Sequence, residues 1–254
     1  MARAIILGSS AALSDADHDY THFLLQGDGG RAPILVDCGN NPMSKFPAFD
    51  VDFNGIEDVI LTHVHADHVG GYPNFVTEMW LLNRRAPLRV YGLDHCLTRV
   101  EQMMLGFAWD TMPTRFVIDY MRVPERDNVL VLENDDFVIR AWQTKHFIPT
   151  MGLRIENKLS GKILAYTCDT EPIPTMLDLA RNADILLHEA AGEGLGHSSA
   201  RQAGVVASHA GAKSLFLIHY PPPFYNDISS LLPDAQSEFG GDVILCQDYD
   251  VIEF

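Results

Sequence analysis

At 254 residues, 47% apolar and 20% charged, the chain has an ordinary globular composition and length enough for one large core, read as a single domain over 1–254. Its 34 acidic against 18 basic side chains give a formal net charge of -16, so a long polyanion such as nucleic acid is not the expected partner and a small anionic substrate is. No apolar run approaches the ~20 residues that span a bilayer, and residues 1–8 hold too short an apolar segment for a signal peptide. Four scattered cysteines (Cys38, Cys96, Cys168, Cys246) suit buried thiols in a reducing cytoplasm.

In chain order, residues 3–7 read as a first strand, 22–25 as a second and 33–36 as a third, which ends in Asp37-Cys38-Gly39. His18 and His22 have no partner at ligand spacing and are read as without function. The run Val59-Ile60-Leu61 predicts a buried strand. Directly after it stands Thr62-His63-Val64-His65-Ala66-Asp67-His68-Val69-Gly70-Gly71. In extended backbone, side chains two apart share a side, so His63 and His65 converge on one ion. Asp67 and His68 follow the turn and are free to face a second. Imidazole with carboxylate suits zinc, with manganese or iron as alternatives. The plain alternative is a polar loop that happens to be rich in histidine. Three histidines and an aspartate closing a buried strand argue against it.

The pattern His-x-His-x-Asp-His followed by Gly-Gly resembles the signature of the metallo-β-lactamase-fold hydrolases. That resemblance implies an α/β fold, a four-layer αββα sandwich, with one or two divalent metal ions at the edge where two sheets meet. It also implies three further ligands downstream: a histidine, an aspartate at a strand end, and a histidine at a later strand end. Asp37 would then support a metal-binding histidine from behind, although an aspartate at such a place also serves as a turn residue.

Further along, 73–83 suits a helix and 88–92 a strand, and 94–105 suits a second helix with Asp94 as its N-cap and His95 as a cap or surface residue. The methionine-rich and aromatic stretch 106–122 reads as core, pocket lining or dimer contact. A strand over 137–142 leads to His146, the first expected ligand, and 151–155 returns. A strand from 162 ends at Asp169, a carboxylate able to bridge two cations with its two oxygens. A helix over 174–181 precedes the segments His188-Glu189-Ala190 and Gly196-His197-Ser198-Ser199-Ala200, after which a helix runs to Ala210 with His209 read as structural. The strand 214–218 ends on His219, the last expected ligand, and a helix over 227–239 and a strand over 243–245 close the fold.

The two segments around Glu189 and His197, and the opening Leu7-Gly8-Ser9-Ser10-Ala11, resemble ribonuclease Z and its phosphodiesterase relatives. The resemblance implies that His63, His65 and His146 hold one ion, Asp67, His68 and His219 the other, and that Asp169 bridges them. A metal-bridged hydroxide would be the nucleophile. His197 would protonate the leaving oxygen with Glu189 as its partner, so the candidate catalytic residues are Asp67, His197 and Glu189. The long arm that tRNA-processing members carry between the third histidine and the bridging aspartate has no counterpart, because only 152–167 lie there. The leading expectation is therefore a phosphodiesterase on small phosphodiesters, cyclic nucleotides included. The alternatives are a ribonuclease Z-type tRNA 3′ endonuclease, a lactone or thioester hydrolase on the same fold, or a binding module, which would have a broken ligand set. Ser198, Ser199, Lys145 and Arg154 are candidate phosphate contacts, and a homodimer is implied by resemblance.

Overall fold

Short runs of aliphatic and β-branched residues make the strands. The computed structural model describes residues 1–30 and 32–254. The first sheet is built from β1 (Arg3–Gly8), β2 (His22–Gln26), β3 (Ile34–Val36), β4 (Asp58–Leu61), β5 (Leu88–Leu93) and β6 (Ile118–Val123). The second takes β7 (Val129–Glu133), β8 (Phe137–Gln143), β9 (Met151–Asn157), β10 (Ile163–Tyr166), β11 (Ile185–Glu189), β12 (Ser214–Ile218) and β13 (Asp242–Leu245). The last strand, β14 (Val251–Glu253), returns to pair antiparallel with β1. The orders are β14-β1-β2-β3-β4-β5-β6 and β13-β12-β11-β10-β9-β8-β7.

Strand alternation sorts the apolar residues into three layers. Ile6, Phe23, Val36 and Ile60 of the first sheet pack between the sheets with Ile139, Leu153, Tyr166 and Leu187 of the second. Their neighbours Ile5, Leu24, Leu35 and Val59 face the other way, onto the helices α2 (Tyr72–Leu81) and α3 (Asp94–Gly106), which follow the single turn α1 (Ala66–Val69). On the far side, Ala165, Leu186 and Leu215 meet α4 (Pro174–Ala180), α5 (Ala200–Ala210) and α6 (Leu231–Gln236). This is the expected αββα sandwich. Strands β3 and β4, fully buried, read as continuous apolar runs because both faces are covered. Among the described residues, no helix is long and apolar enough to cross a membrane.

The direction of the strands positions the site. β3, β4, β5 and β6 run parallel, as do β10, β11, β12 and β13. Side chains just past the carboxyl ends of parallel strands gather along one edge of an α/β sheet. Asp37 follows β3, His63 follows β4, Asp169 follows β10, Glu189 ends β11 and His219 follows β12.

Several expectations need correction. Asp94 is the first residue inside α3, not its cap, and its carboxylate accepts from Arg122 Nε at 2.8 Å. The stretch 106–122 is only partly core: Trp109 and Phe116 are buried, but Phe107, Val117 and Met121 are exposed, and its end is the edge strand β6. Helix α6 is shorter than the 227–239 run, and β13 does not close the fold, since β14 follows it. His209 lies exposed in the last turn of α5, so it serves no core.

Candidate active site

The ligand candidates meet from both sheets. The extended residues after β4 set His63 Nε2 at 3.2 Å from His65 Nδ1. His146, on the loop between β8 and β9, brings its Nε2 within 2.9 Å of the same His65 nitrogen. Asp169 turns Oδ2 to this group, at 3.7 Å from both His63 Nε2 and His146 Nε2. Its other oxygen faces the second group: Oδ1 lies 3.4 Å from both His68 Nε2 and His219 Nε2. Asp67 Oδ2 completes that group at 3.3 Å from His219 Nε2 and 3.6 Å from His68 Nε2. All seven ligand candidates thus come together in two sets that share Asp169.

Hydrogen bonds on the outer side of the rings settle which nitrogens face inward. His68 donates its Nδ1–H to Asp37 Oδ2 at 2.8 Å, and His146 donates its Nδ1–H to the Gly196 carbonyl at 2.8 Å. His63 Nδ1 stands 3.1 Å from Thr62 Oγ1, which in turn donates to Asp37 Oδ2 at 2.8 Å. Asp37 therefore sits behind two of the rings, the role the resemblance implied for it, and Thr62 is the link that sequence reasoning missed. With those protons committed outward, the Nε2 lone pairs of His63, His68 and His146 point inward, those of His63 and His146 at His65 Nδ1. Such an arrangement is repulsive unless cations lie between. Donor-to-donor edges of 2.9–3.7 Å bracket the about 3.4 Å expected of tetrahedral coordination with bonds near ~2.1 Å. The residues fit divalent cations.

Backbone geometry aims these side chains. Asp37, Cys168 and His219 all have positive φ, at 59°, 53° and 52°, one or two residues past strand ends. Conformations of this kind are sparsely used by residues with a side chain and concentrate at functional sites. Gly39 has its own reason: a Cβ there would lie 1.8 Å from the Asp67 carbonyl oxygen, so only glycine lets the β3 turn pass under α1.

His197 and Glu189 form a pair at the rim. Glu189 is fully buried, accepting the Thr170 and Ala191 backbone N–H groups at 2.9 and 3.0 Å and the His197 Nδ1–H at 3.1 Å. The His197 ring is partly exposed and stacks on His219 at 5.8 Å between centroids. Burial acts against charge on His197, but the hydrogen bond and charge of Glu189 outweigh it and raise the imidazole above its ordinary pKa. Burial likewise raises the Glu189 carboxyl.

A cavity of about 330 Å³ opens over these groups. Its walls are His and Asp side chains with Ala11, Ala12, Ala66, Ala191 and Phe147, and among the described residues no Lys or Arg lines it. A larger cleft of about 530 Å³ beside Lys45 and Asp248 carries no such donor cluster among the described residues, so the smaller cavity is the candidate site. Phe147, 62% exposed and edge-on to His146 at 5.0 Å, was not anticipated; an exposed aromatic directly after a ligand candidate was the signal. The four suggested phosphate contacts are not in the cavity. Ser198 Oγ donates to the Thr170 carbonyl at 2.6 Å, and Ser199 caps α5 in a capping box with Gln202. Lys145 pairs with Glu171 at 2.7 Å, and Arg154 donates to the Leu179 carbonyl on the outer face of the second sheet.

A family model described as Anti-Pycsar protein Apyc1 matches residues 2–232. The chain belongs to that family. This member of the Apyc1 family is also 28% identical to the "Ribonuclease Z" of Mycobacterium marinum (strain ATCC BAA-535 / M), over all of this chain and 99% of that protein. Its fold is similar to the metallo-β-lactamase fold protein YhfI from Bacillus subtilis, with a TM-score of 0.84 and 24% identity over 100% of this chain and 99% of that one. It is also similar to the short form of human tRNase Z, with a TM-score of 0.78 and 20% identity over 99% and 98%. Together with the donor cluster, these likenesses make the Apyc1-family chain a ribonuclease Z-like, metal-dependent hydrolase of the metallo-β-lactamase fold.

Proposed function

We propose that the protein is a phosphodiesterase that hydrolyses small phosphodiesters, cyclic nucleotides among them, with two divalent cations, zinc foremost. His63, His65 and His146 would hold one cation, and Asp67, His68 and His219 the other. Asp169 would touch one with each oxygen. When bound, such cations supply Lewis acidity to the phosphoryl oxygens and to water. The observation that carries the reading is the His197–Glu189 pair at the mouth of the cavity. Glu189 orients the His197 ring through Nδ1 and stabilises its protonated form, which leaves Nε2–H to move a proton to the departing oxygen. An alkoxide leaving group needs that proton; the thiolate that departs from a thioester does not.

Two further features support a small diester. With no Lys or Arg on the cavity wall among the described residues, the charge of the substrate would rest on the cations, which suits a monoanion better than a polyanion. Phe147 offers an exposed aromatic face beside His146 and His197, suited to a planar base.

Processing of tRNA is the second reading, favoured by the names of the relatives. Against it stand the net charge of -16 and the tight turn over residues 158–162 between β9 and β10, where a substrate-gripping arm would have to emerge. The test is hydrolysis by the metal-analysed protein, supplied with Zn²⁺ or Mn²⁺. The substrates are bis(p-nitrophenyl) phosphate, 2′,3′- and 3′,5′-cyclic nucleotides, a pre-tRNA, a lactone and a thioester. The expected outcome is diester turnover that vanishes in Asp67→Ala. Turnover of pre-tRNA or of acyl substrates with silent small diesters would overturn the reading.

A further inference from the structure

A second cleft, of about 250 Å³, lies on the outer face of the second sheet between β8, β9 and the end of α4. It has the opposite character to the rest of this acidic chain. Three arginines line it, Arg140, Arg154 and Arg181, with Trp142 buried beside them and the carboxylates Glu156 and Asp178 also on the wall.

The strand register makes this cluster unusual. Arg140 and Arg154 are direct partners in the antiparallel β8–β9 ladder, so their side chains leave the same face next to each other. Like charges placed directly opposite are destabilising, and a carboxylate normally relieves them. None pairs with them here: Asp178 is paired with Arg181, the exposed Glu156 offsets the charge of Arg154 only in part, and neither Arg140 nor Arg154 forms an ion pair among the described residues. Each is instead anchored by one hydrogen bond to a carbonyl, Arg140 Nη1 to Asn128 at 3.2 Å and Arg154 Nη1 to Leu179 at 2.7 Å. A guanidinium carries five N–H donors, so most of each fork stays available while one end is fixed. Burial also lowers the pKa of Arg154, as expected of a charge short of solvation, with Glu156 only partly opposing it.

We propose that this cleft binds a phosphate monoester or inorganic phosphate, with the Arg140 and Arg154 forks as the oxyanion donors and Trp142 as the apolar wall beside them. A planar fork meets phosphate through paired N–H···O bonds, and a bound dianion removes the repulsion between the two arginines. The site is separate from the cavity over the histidines, since the two share no lining residue.

The test is calorimetric titration of the full-length, metal-loaded protein with inorganic phosphate and with ribose 5-phosphate. It uses the wild type, His68→Ala stripped of metal with a chelator to disable the histidine site, and Arg140→Met and Arg154→Met, each alone and in that stripped background. The expected result is binding that persists in His68→Ala and weakens at least tenfold in either arginine variant, while hydrolysis of bis(p-nitrophenyl) phosphate is unchanged in the arginine variants. Phosphate should also raise the melting temperature of His68→Ala but not that of His68→Ala carrying Arg140→Met, a readout that does not depend on catalysis. Arg140→Lys keeps the charge without the fork and should bind at an intermediate level. Equal affinity for both ligands would assign recognition to the phosphate alone, and tighter ester binding would bring in Trp142; both support the site. Binding that disappears in the stripped His68→Ala protein, or that survives both arginine substitutions in that background, would overturn it.

Discussion

In the proposed mechanism His197 would do its chemistry at one nitrogen while Glu189 holds the other, and the two roles separate by experiment. His197→Ala should cut turnover of alkyl-leaving diesters by about 10²–10⁴-fold, the usual range for a lost general acid. The loss on p-nitrophenyl esters should be far smaller, because p-nitrophenolate leaves without help. Equal losses on both substrates would remove His197 from the proton transfer. Phe147 makes a different prediction. Base stacking on an aromatic is worth about 1–3 kcal/mol, so Phe147→Ala should raise KM for cyclic nucleotides by roughly tenfold or more. The cyclic phosphate of ribose without a base should be unaffected, and a parallel loss on it would mean that Phe147 shapes the site without stacking. Asp37 tests the support behind the metal donors. Its φ of 59° is tolerated by asparagine, so Asp37→Asn keeps the backbone but removes the charge behind His68 and leaves a single acceptor oxygen for Thr62 and His68 to share. Metal affinity, measured by competition with a chelator, should fall about 10–100-fold.

At the scale of elements, the strands that carry the ligand candidates were legible and several others were not. β4, β10 and β12 are buried on both faces, and their apolar runs end on the residues that matter, so Thr62–Gly71, Asp169 and His219 stood out. β6 is an edge strand whose Asp119, Met121 and Arg122 are exposed, so no buried face announced it, and β14 is three residues long. The misplaced phosphate contacts have two causes: Ser198, Lys145 and Arg154 each have a partner that only the folded chain brings near, and Ser199 is taken up by the capping box with Gln202. His188 shows what alternation does to a polar residue. It points to the side opposite Leu187, its Nδ1 donates to the Glu189 carbonyl at 2.8 Å, and its Nε2 is buried without a partner. Burial pushes its pKa down to about 4. The folded chain therefore resists a proton that the unfolded chain takes up near pH ~6.5. Stability is complete above that value and declines as the pH falls towards 4, by about 2 kcal/mol between pH 7.5 and 5. His188→Leu should abolish that share of the acid sensitivity. Denaturant midpoints of both proteins at the two pH values check this, and identical pH slopes would contradict it.

Across the whole molecule, the donor cluster is also a clasp. His63, His65, Asp67 and His68 come from the end of β4 in the first sheet, whereas His146, Asp169 and His219 come from the second. Apart from the apolar layer between the sheets, these side chains tie the two halves together at one edge. Cations held between them would bind the folded chain and not the unfolded one, and so would stabilise it by mass action. At a free concentration 100 times the dissociation constant, each ion adds about 2.7 kcal/mol. For a chain of this size that corresponds to a rise in Tm of roughly 5–10 °C per ion. Removing metal with a chelator should lower Tm by at least that much, and added Zn²⁺ should restore it. His68→Ala should show a smaller chelator effect, and Asp169→Ala, which breaks both sets, almost none. A wild-type Tm that does not move after metal analysis confirms removal would mean that the sheets are held by their core alone. The seven donors would then be a site for reaction and not for assembly.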